Sequence, residues 1–135
     1  MLIFVAGEPR PQGSKNAFRR GSKIVLVESS KGLPEWRRRL VEAFTPFEGL
    51  STRPGYENGA TVALEFYLTR PASVKRKNPT TKPDLDKLIR SVGDALEIAG
   101  VIDGDSKIVE WQATKRYADN IDPGLTIEIS PYDTP

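Results

Sequence analysis

The chain has 135 residues, 38% hydrophobic and 28% charged, which suits one soluble globular domain spanning 1–135 with a core large enough to need no staples. It contains no Cys and no His, excluding disulfides, zinc–thiolate sites, thiolate nucleophiles, imidazole bases and every Ser-His-Asp arrangement. The formal charge of +2, from 20 Lys and Arg against 18 Asp and Glu, is too small to name a partner by itself.

In chain order, Leu2 to Ala6 predicts a short apolar strand ended by Gly7, and the Pro- and Gly-rich stretch from Pro9 to Lys15 predicts a loop. The apolar run is far shorter than a signal peptide requires, so the expectation is a cytoplasmic protein with no membrane segment. Ile24 to Val27 predicts a second strand. From Pro34 a helix is expected, with Leu33, Trp36, Leu40, Val41 and Phe44 on one face, stopping before Pro46. Ala60 to Leu68 alternates Val62, Leu64, Phe66 and Leu68 on one side, a strand with one buried face. Residues 70–82 form a basic, Pro-punctuated loop. A longer helix follows, with Leu85, Leu88, Ile89, Val92, Leu96 and Ala99 in a core-facing stripe and Gly100 at its end. After an Asp103-Gly104 turn, Lys107 to Arg116 and Leu125 to Ile129 predict the last two strands. The order β, β, α, β, α, β, β indicates an α+β domain, a mixed sheet with two helices packed on one face.

Charge is distributed unevenly along this framework. Residues 9–39 hold nine basic side chains against two acidic ones, and residues 70–82 add five more (Arg70, Lys75, Arg76, Lys77, Lys82) with no acid. Residues 84–110 reverse the sign, with seven acids against Lys87, Arg90 and Lys107. An acidic knot in a basic surround suits a metal site acting on a polyanion, because carboxylates hold the cation while ammonium and guanidinium groups hold phosphates. Solvation of an ordinary surface explains the same charges at this level.

The acidic knot opens with Lys82-Pro83-Asp84-Leu85-Asp86-Lys87-Leu88-Ile89-Arg90. Two aspartates one residue apart diverge by about 200° inside a helix, at about 100° per residue. They converge only if the helix begins between them, and Pro83 with the good N-cap Asp84 places the start at Leu85. Asp86 and Arg90 then share the face opposite the leucine stripe, free of any packing duty. The plain alternative is an N-cap at Asp84 and a helix-dipole partner at Asp86. Asp103-Gly104-Asp105-Ser106 likewise reads, by itself, as a solvated turn. An EF-hand is excluded, since a loop from Asp84 lacks Gly at its sixth position and one from Asp103 lacks Glu at its twelfth. Gly7 to Lys15 is no Walker A loop, having five residues between its glycines and Ser-Lys in the wrong order.

Three segments together resemble the RusA-type Holliday junction resolvases of bacteria and phages: Lys82-Pro83-Asp84-Leu85-Asp86-Lys87-Leu88, then Asp94-Ala95-Leu96, then Gly100 to Val109 with Asp103-Gly104-Asp105-Ser106 inside it. The opening Gly7-Glu8-Pro9-Arg10-Pro11-Gln12-Gly13-Ser14-Lys15 is similar to the start of many phage members. The resemblance implies a homodimeric, Mg²⁺-dependent endonuclease, with Mn²⁺ as a substitute, that cuts four-way DNA junctions by paired symmetric nicks in recombination and repair. It implies a bacterial or phage-infected cytoplasm and neither a membrane nor a small-molecule cofactor. Carried over residue by residue, Asp84, Asp86 and Asp105 are the metal-binding catalytic carboxylates. Two positions depart from the pattern. Gly104 stands where many members have the first of two aspartates, leaving Asp103 as the substitute to test. Arg90 stands where well-known members have Lys; arginine stays protonated, so it serves phosphate charge rather than proton transfer.

The residues support that chemistry independently. Three carboxylates hold one or two Mg²⁺ through oxygen and leave positions for water and phosphate. Unfilled, neighbouring aspartates repel, so at least one of them is expected to bind its proton more tightly than usual. Lys75, Arg76, Lys77, Lys82, Lys87 and Lys115 are the expected DNA contacts, and Lys115 is expected on the same sheet face as Val109, Trp111 and Ala113. Trp36, Phe47 and Trp111 are the apolar candidates for a dimer surface. The rival class is a non-catalytic branched-DNA-binding protein with the same fold, favoured only by Gly104.

Overall fold

A computed structural model of the chain describes residues 1–13, 15–21, 23–28 and 31–133, with side chains described outside 15–20 and 23–28. The elements are β1 (Leu2–Ala6), β2 (Lys15–Arg20), β3 (Lys23–Glu28), α1 (Leu33–Phe44), β4 (Ala60–Leu68), α2 (Leu85–Ile98), β5 (Ile108–Tyr117) and β6 (Gly124–Pro131). Four strands form one mixed sheet in the order β1-β6-β4-β5, while β2 and β3 pair separately as a hairpin. β4 runs parallel to β5 and antiparallel to β6. Parallel neighbours need a crossover; here it runs through the 69–84 loop and α2, the segment that carries Asp84 and Asp86.

The expected α+β domain with both helices on one sheet face is what the chain forms. The alternating β4 residues Val62, Leu64, Phe66 and Leu68 are buried, as are Leu125, Ile127 and Ile129 of β6. Over them pack Trp36, Leu40 and Phe44 of α1 and Leu88, Val92, Ala95 and Leu96 of α2. Each such side chain contributes about 1.5–3 kcal/mol by leaving water. Leu88 has no exposed surface, so Leu88→Ala would cost about 2–5 kcal/mol and loosen the helix turn that presents Asp86. The opposite sheet face is open and carries Leu2 and Phe4, 64% and 42% exposed.

Several expectations need correction. Lys15 does not belong to a loop; it begins β2, a strand absent from the expected order. Trp36 is 1% exposed and so offers no dimer surface, while Phe47 is half-buried against the core. Val109 leaves the expected row because the β4–β5 register shifts there, with Ala60 opposite Ile108 and Thr61 opposite Glu110. Beyond that bulge Val62, Leu64 and Phe66 lie opposite Trp111, Ala113 and Lys115, so those three do face the helices.

Candidate active site

α2 starts where Pro83 and Asp84 indicate. Asp84 is the N-cap residue, extended at φ −70° and ψ 139°, and its carbonyl accepts from the Lys87 and Leu88 amides at 3.2 and 3.1 Å. Its carboxylate makes no capping hydrogen bond, so plain capping does not explain this side chain. α2 ends with Gly100 at φ 73°. The Gly100 amide donates to Glu97 O at 3.0 Å and the Val101 amide to Leu96 O at 2.9 Å, a Schellman turn. That turn drives Val101 and Ile102 into the core and returns the chain so that Asp105 comes back beside the helix.

Asp86, Arg90, Asp94 and Asp105 line one cleft of about 250 Å³, floored by Gly93 and walled by Trp111. A Cβ on Gly93 would sit 3.7 Å from the Trp111 ring. Trp111 therefore shapes this cleft. Glu97 lies beside Asp105, one helical turn beyond Gly93. Repulsion from Asp105 raises its pKa above the ordinary glutamate value, with partial desolvation, a hydrogen bond shared with Asp105 and the more distant Asp94 adding to the effect. The crowding was expected among the aspartates; it is seen at Glu97, a residue outside that expected set. Glu97 was not among the expected site residues, although its spacing of seven from Arg90 and eleven from Asp86 puts all three on one helix face.

Asp84 is not gathered into that cleft. It lines a second, larger one of about 460 Å³ together with Arg10, Lys31, Lys82 and Lys87, and its nearest cation is Lys87, 3.8 Å away. Asp86 and Asp105 share a cleft while Asp84 stands at the border of another, and among the described residues no three acidic side chains are grouped tightly enough to hold a metal. Asp103, the candidate substitute beside Gly104, is not among the residues lining either cleft. Its carboxylate accepts from the Ser51 hydroxyl at 3.3 Å, and its amide donates to the same oxygen at 3.1 Å.

The basic side chains separate into anchors and free groups. Lys115 donates to the carbonyls of Thr81 and Pro83, both at 2.8 Å, and so fastens the loop that leads into Asp84. Arg70 organises the 70–82 loop from within, donating to the carbonyls of Val74, Arg76 and Lys77 at 3.3, 2.6 and 3.4 Å. It also grips Asp119 with two hydrogen bonds of 2.7 and 3.0 Å and stacks 4.1 Å above the Tyr117 ring. Of the five basic residues in 70–82, Arg70 is thus neutralised by Asp119 and committed to the fold. Lys75, Arg76, Lys77 and Lys82 are exposed along the same loop, with Arg76 donating to the Thr81 hydroxyl at 3.1 Å. Lys87 is half-buried beside Asp84.

A family model described as endodeoxyribonuclease RusA matches residues 6–130. The chain belongs to the RusA endodeoxyribonuclease family. No curated protein matches its sequence. As a RusA endonuclease it cuts phosphodiester bonds within DNA, and the mixed sheet with two helices is the single α+β domain of that family. Among the described residues no helix is long and apolar enough to cross a membrane.

The RusA family implies a divalent metal, and the donors present fit one. The cleft beside α2 offers only oxygen ligands, and Mg²⁺ is commonly held by one or two carboxylates with water and substrate phosphate completing its shell. Asp86 and Asp105 meet that requirement without a third protein ligand, and the crowding that weakens Glu97's acidity is relieved by a cation.

Proposed function

We propose that this RusA endonuclease resolves four-way DNA junctions as a homodimer, by paired symmetric nicks, with Mg²⁺ as the natural cofactor and Mn²⁺ as a substitute. It acts as a single domain spanning 1–135, in the cytoplasm of a bacterium or a phage-infected cell. The observation that carries the reading is the adjacency of two unlike clefts at the start of α2, one lined by Asp86 and Asp105, the other by cations around Asp84.

Asp86 and Asp105 are the metal ligands in this reading, with Asp84 the third catalytic carboxylate at the cleft border. A bound divalent ion supplies Lewis acidity toward the attacked phosphodiester and lowers the pKa of water without a histidine. Arg90, on the wall of the same cleft, stays protonated and neutralises charge that builds on the phosphoryl oxygens. Trp111 and Ile89 supply the apolar part of the cleft lining beside these charged groups. Lys75, Arg76, Lys77, Lys82 and Lys87 hold the DNA backbone on the approach to Asp84, whereas Lys115 acts on DNA through the loop it fastens. Phosphate contacts carry no sequence information, so junction selectivity comes from the spacing of two symmetry-related sites.

The test is cleavage of a synthetic four-way junction and a matched linear duplex, each in Mg²⁺ and in EDTA. Symmetric nicks in the junction alone, dependent on Mg²⁺, are expected. Equal cutting of the duplex would remove junction selectivity, and binding with no metal-dependent nicks would leave only a branched-DNA-binding protein.

A further inference from the structure

The cleft that Asp84 borders, apart from the one shared by Asp86 and Asp105, is strongly cationic. Its four cations come from four separate segments: Arg10 from the loop after β1, Lys31 from the turn before α1, Lys82 from the end of the basic loop and Lys87 from the first turn of α2. Against the single carboxylate of Asp84 they leave an excess of three positive charges in one concavity of about 460 Å³. Like charges brought together by folding repel unless an anion joins them. Among the described residues only Lys87 of the four is ion-paired, and that at 3.8 Å.

The walls of this cleft are tied together. The Gln12 amide donates to the Lys87 carbonyl at 3.0 Å. The Gln12 side-chain amide donates to Asp94, and its oxygen accepts from Arg37 at 2.5 Å. Arg10 therefore sits on a loop fixed to both helices. Its guanidinium lies against Gly32, where a Cβ would come within 2.8 Å of the Arg10 Nε, and Gly32 also adopts φ 79° to lead into α1. The positive φ favours glycine, and any larger residue here would also push the Arg10 guanidinium from its place. A cationic pocket held in place before its ligand arrives loses little to reorganisation on binding.

We infer that this cleft is a second phosphate site, taking one uncleaved phosphodiester of the bound DNA through Arg10, Lys31, Lys82 and Lys87. The inference rests on the DNA-cutting assignment of the neighbouring cleft and adds Arg10 and Lys31 to the binding surface. With one phosphate held on this side of Asp84, the strand's register at Asp86 and Asp105 is set.

The test measures junction affinity in EDTA across a KCl series for the wild type, Arg10→Gln, Lys31→Gln and the double variant, with Arg53→Gln as an exposed cation outside the cleft. Loss of one phosphate contact lowers the steepness of log K against log salt by about 0.9. The double variant is expected to show that change and about tenfold weaker binding at low salt, while Arg53→Gln matches the wild type. Wild-type slope and affinity in the double variant, or an equal loss in Arg53→Gln, would overturn the inference. If Arg10→Gln fails to fold, the exposed Lys31→Gln decides alone, with a smaller loss of slope expected and no loss contradicting the site. Inorganic phosphate added as a competitor should weaken wild-type binding more than binding by the double variant. Wild-type nicking is assayed in parallel: altered slopes without nicking keep the anion site and reject the nuclease reading, and nicking with unaltered slopes does the reverse.

Discussion

The ammonium of Lys115 donates to the carbonyl of Pro83 across 2.8 Å, one residue before Asp84. A strand at the sheet edge thus sets the backbone from which the first aspartate projects. Hydrogen bonds from a charged donor contribute about 1.5–3 kcal/mol when shielded, and less where water competes. Lys115→Met is therefore expected to lose about 1–2 kcal/mol in urea unfolding. It should also slow single-turnover junction cleavage while largely keeping junction affinity in EDTA. Unchanged cleavage would mean that the loop holds Asp84 without this anchor.

Arg70 gives a second prediction, about order in the basic loop. Its three carbonyl partners lie within the segment that carries Lys75, Arg76 and Lys77. Arg70→Lys cannot reproduce the planar fork on Asp119, so trypsin should cut at 75–77 faster than in the wild type. An equal rate would show that the loop is ordered by other contacts. The same pair makes a pH prediction. Arg70 holds the Asp119 carboxyl below its ordinary range, with partial desolvation opposing. A depressed folded-state pKa contributes stability above the unfolded value and loses it as pH falls through the folded one, so the effect belongs below about pH 4. Amide protection at Val74 should decline over that acid range in the wild type and be already low, and flatter with pH, in Asp119→Asn.

Where the fold was legible, local physics and tertiary packing agreed. Pro83 and Asp84 mark the start of α2 and Gly100 its end, because both signals depend on backbone rules that hold in any surroundings. β2 was hidden because Lys15–Arg20 offers only Ala17 and Phe18 as apolar residues, with no alternation to read. Trp36 was misjudged since a tryptophan's place depends on what covers it; here it meets the core beneath Gly7. The spacing of the carboxylates along the chain was legible, but their arrangement in space was not. Asp84 and Asp86 flank the helix start as expected, yet Asp84 lies 3.8 Å from Lys87 in one cleft while Asp86 and Asp105 line another. Glu97 joins the acidic group only because the Schellman turn folds Asp105 back onto α2.

Gly93 offers a prediction with the opposite sign from most core substitutions. It lies inside α2, and an added Cβ would meet Trp111 at 3.7 Å, an ordinary contact. Glycine in a helix interior costs about 0.5–1 kcal/mol relative to alanine. Gly93→Ala should thus stabilise the protein by about that amount in urea unfolding. Destabilisation would show that Trp111 packs on the helix more tightly than this spacing allows.

Trp111 also reports on the cleft, since Trp36 is 1% exposed and Trp111 is 37% exposed beside Asp86 and Asp105. Paramagnetic Mn²⁺ bound there should quench tryptophan emission, and Trp111→Phe should remove most of that response while the protein stays folded. Quenching that survives in Trp111→Phe would place the ion elsewhere.

If DNA is cut in the cleft shared by Asp86 and Asp105, single-turnover cleavage of a labelled four-way junction by Asp86→Asn should reveal it. Loss of a metal-binding carboxylate removes several kcal/mol of transition-state stabilisation, so the rate should fall by about a hundredfold or more. Junction affinity in EDTA should stay the same or tighten, because one negative charge has left the DNA-facing surface. Wild-type cleavage by Asp86→Asn would contradict the account.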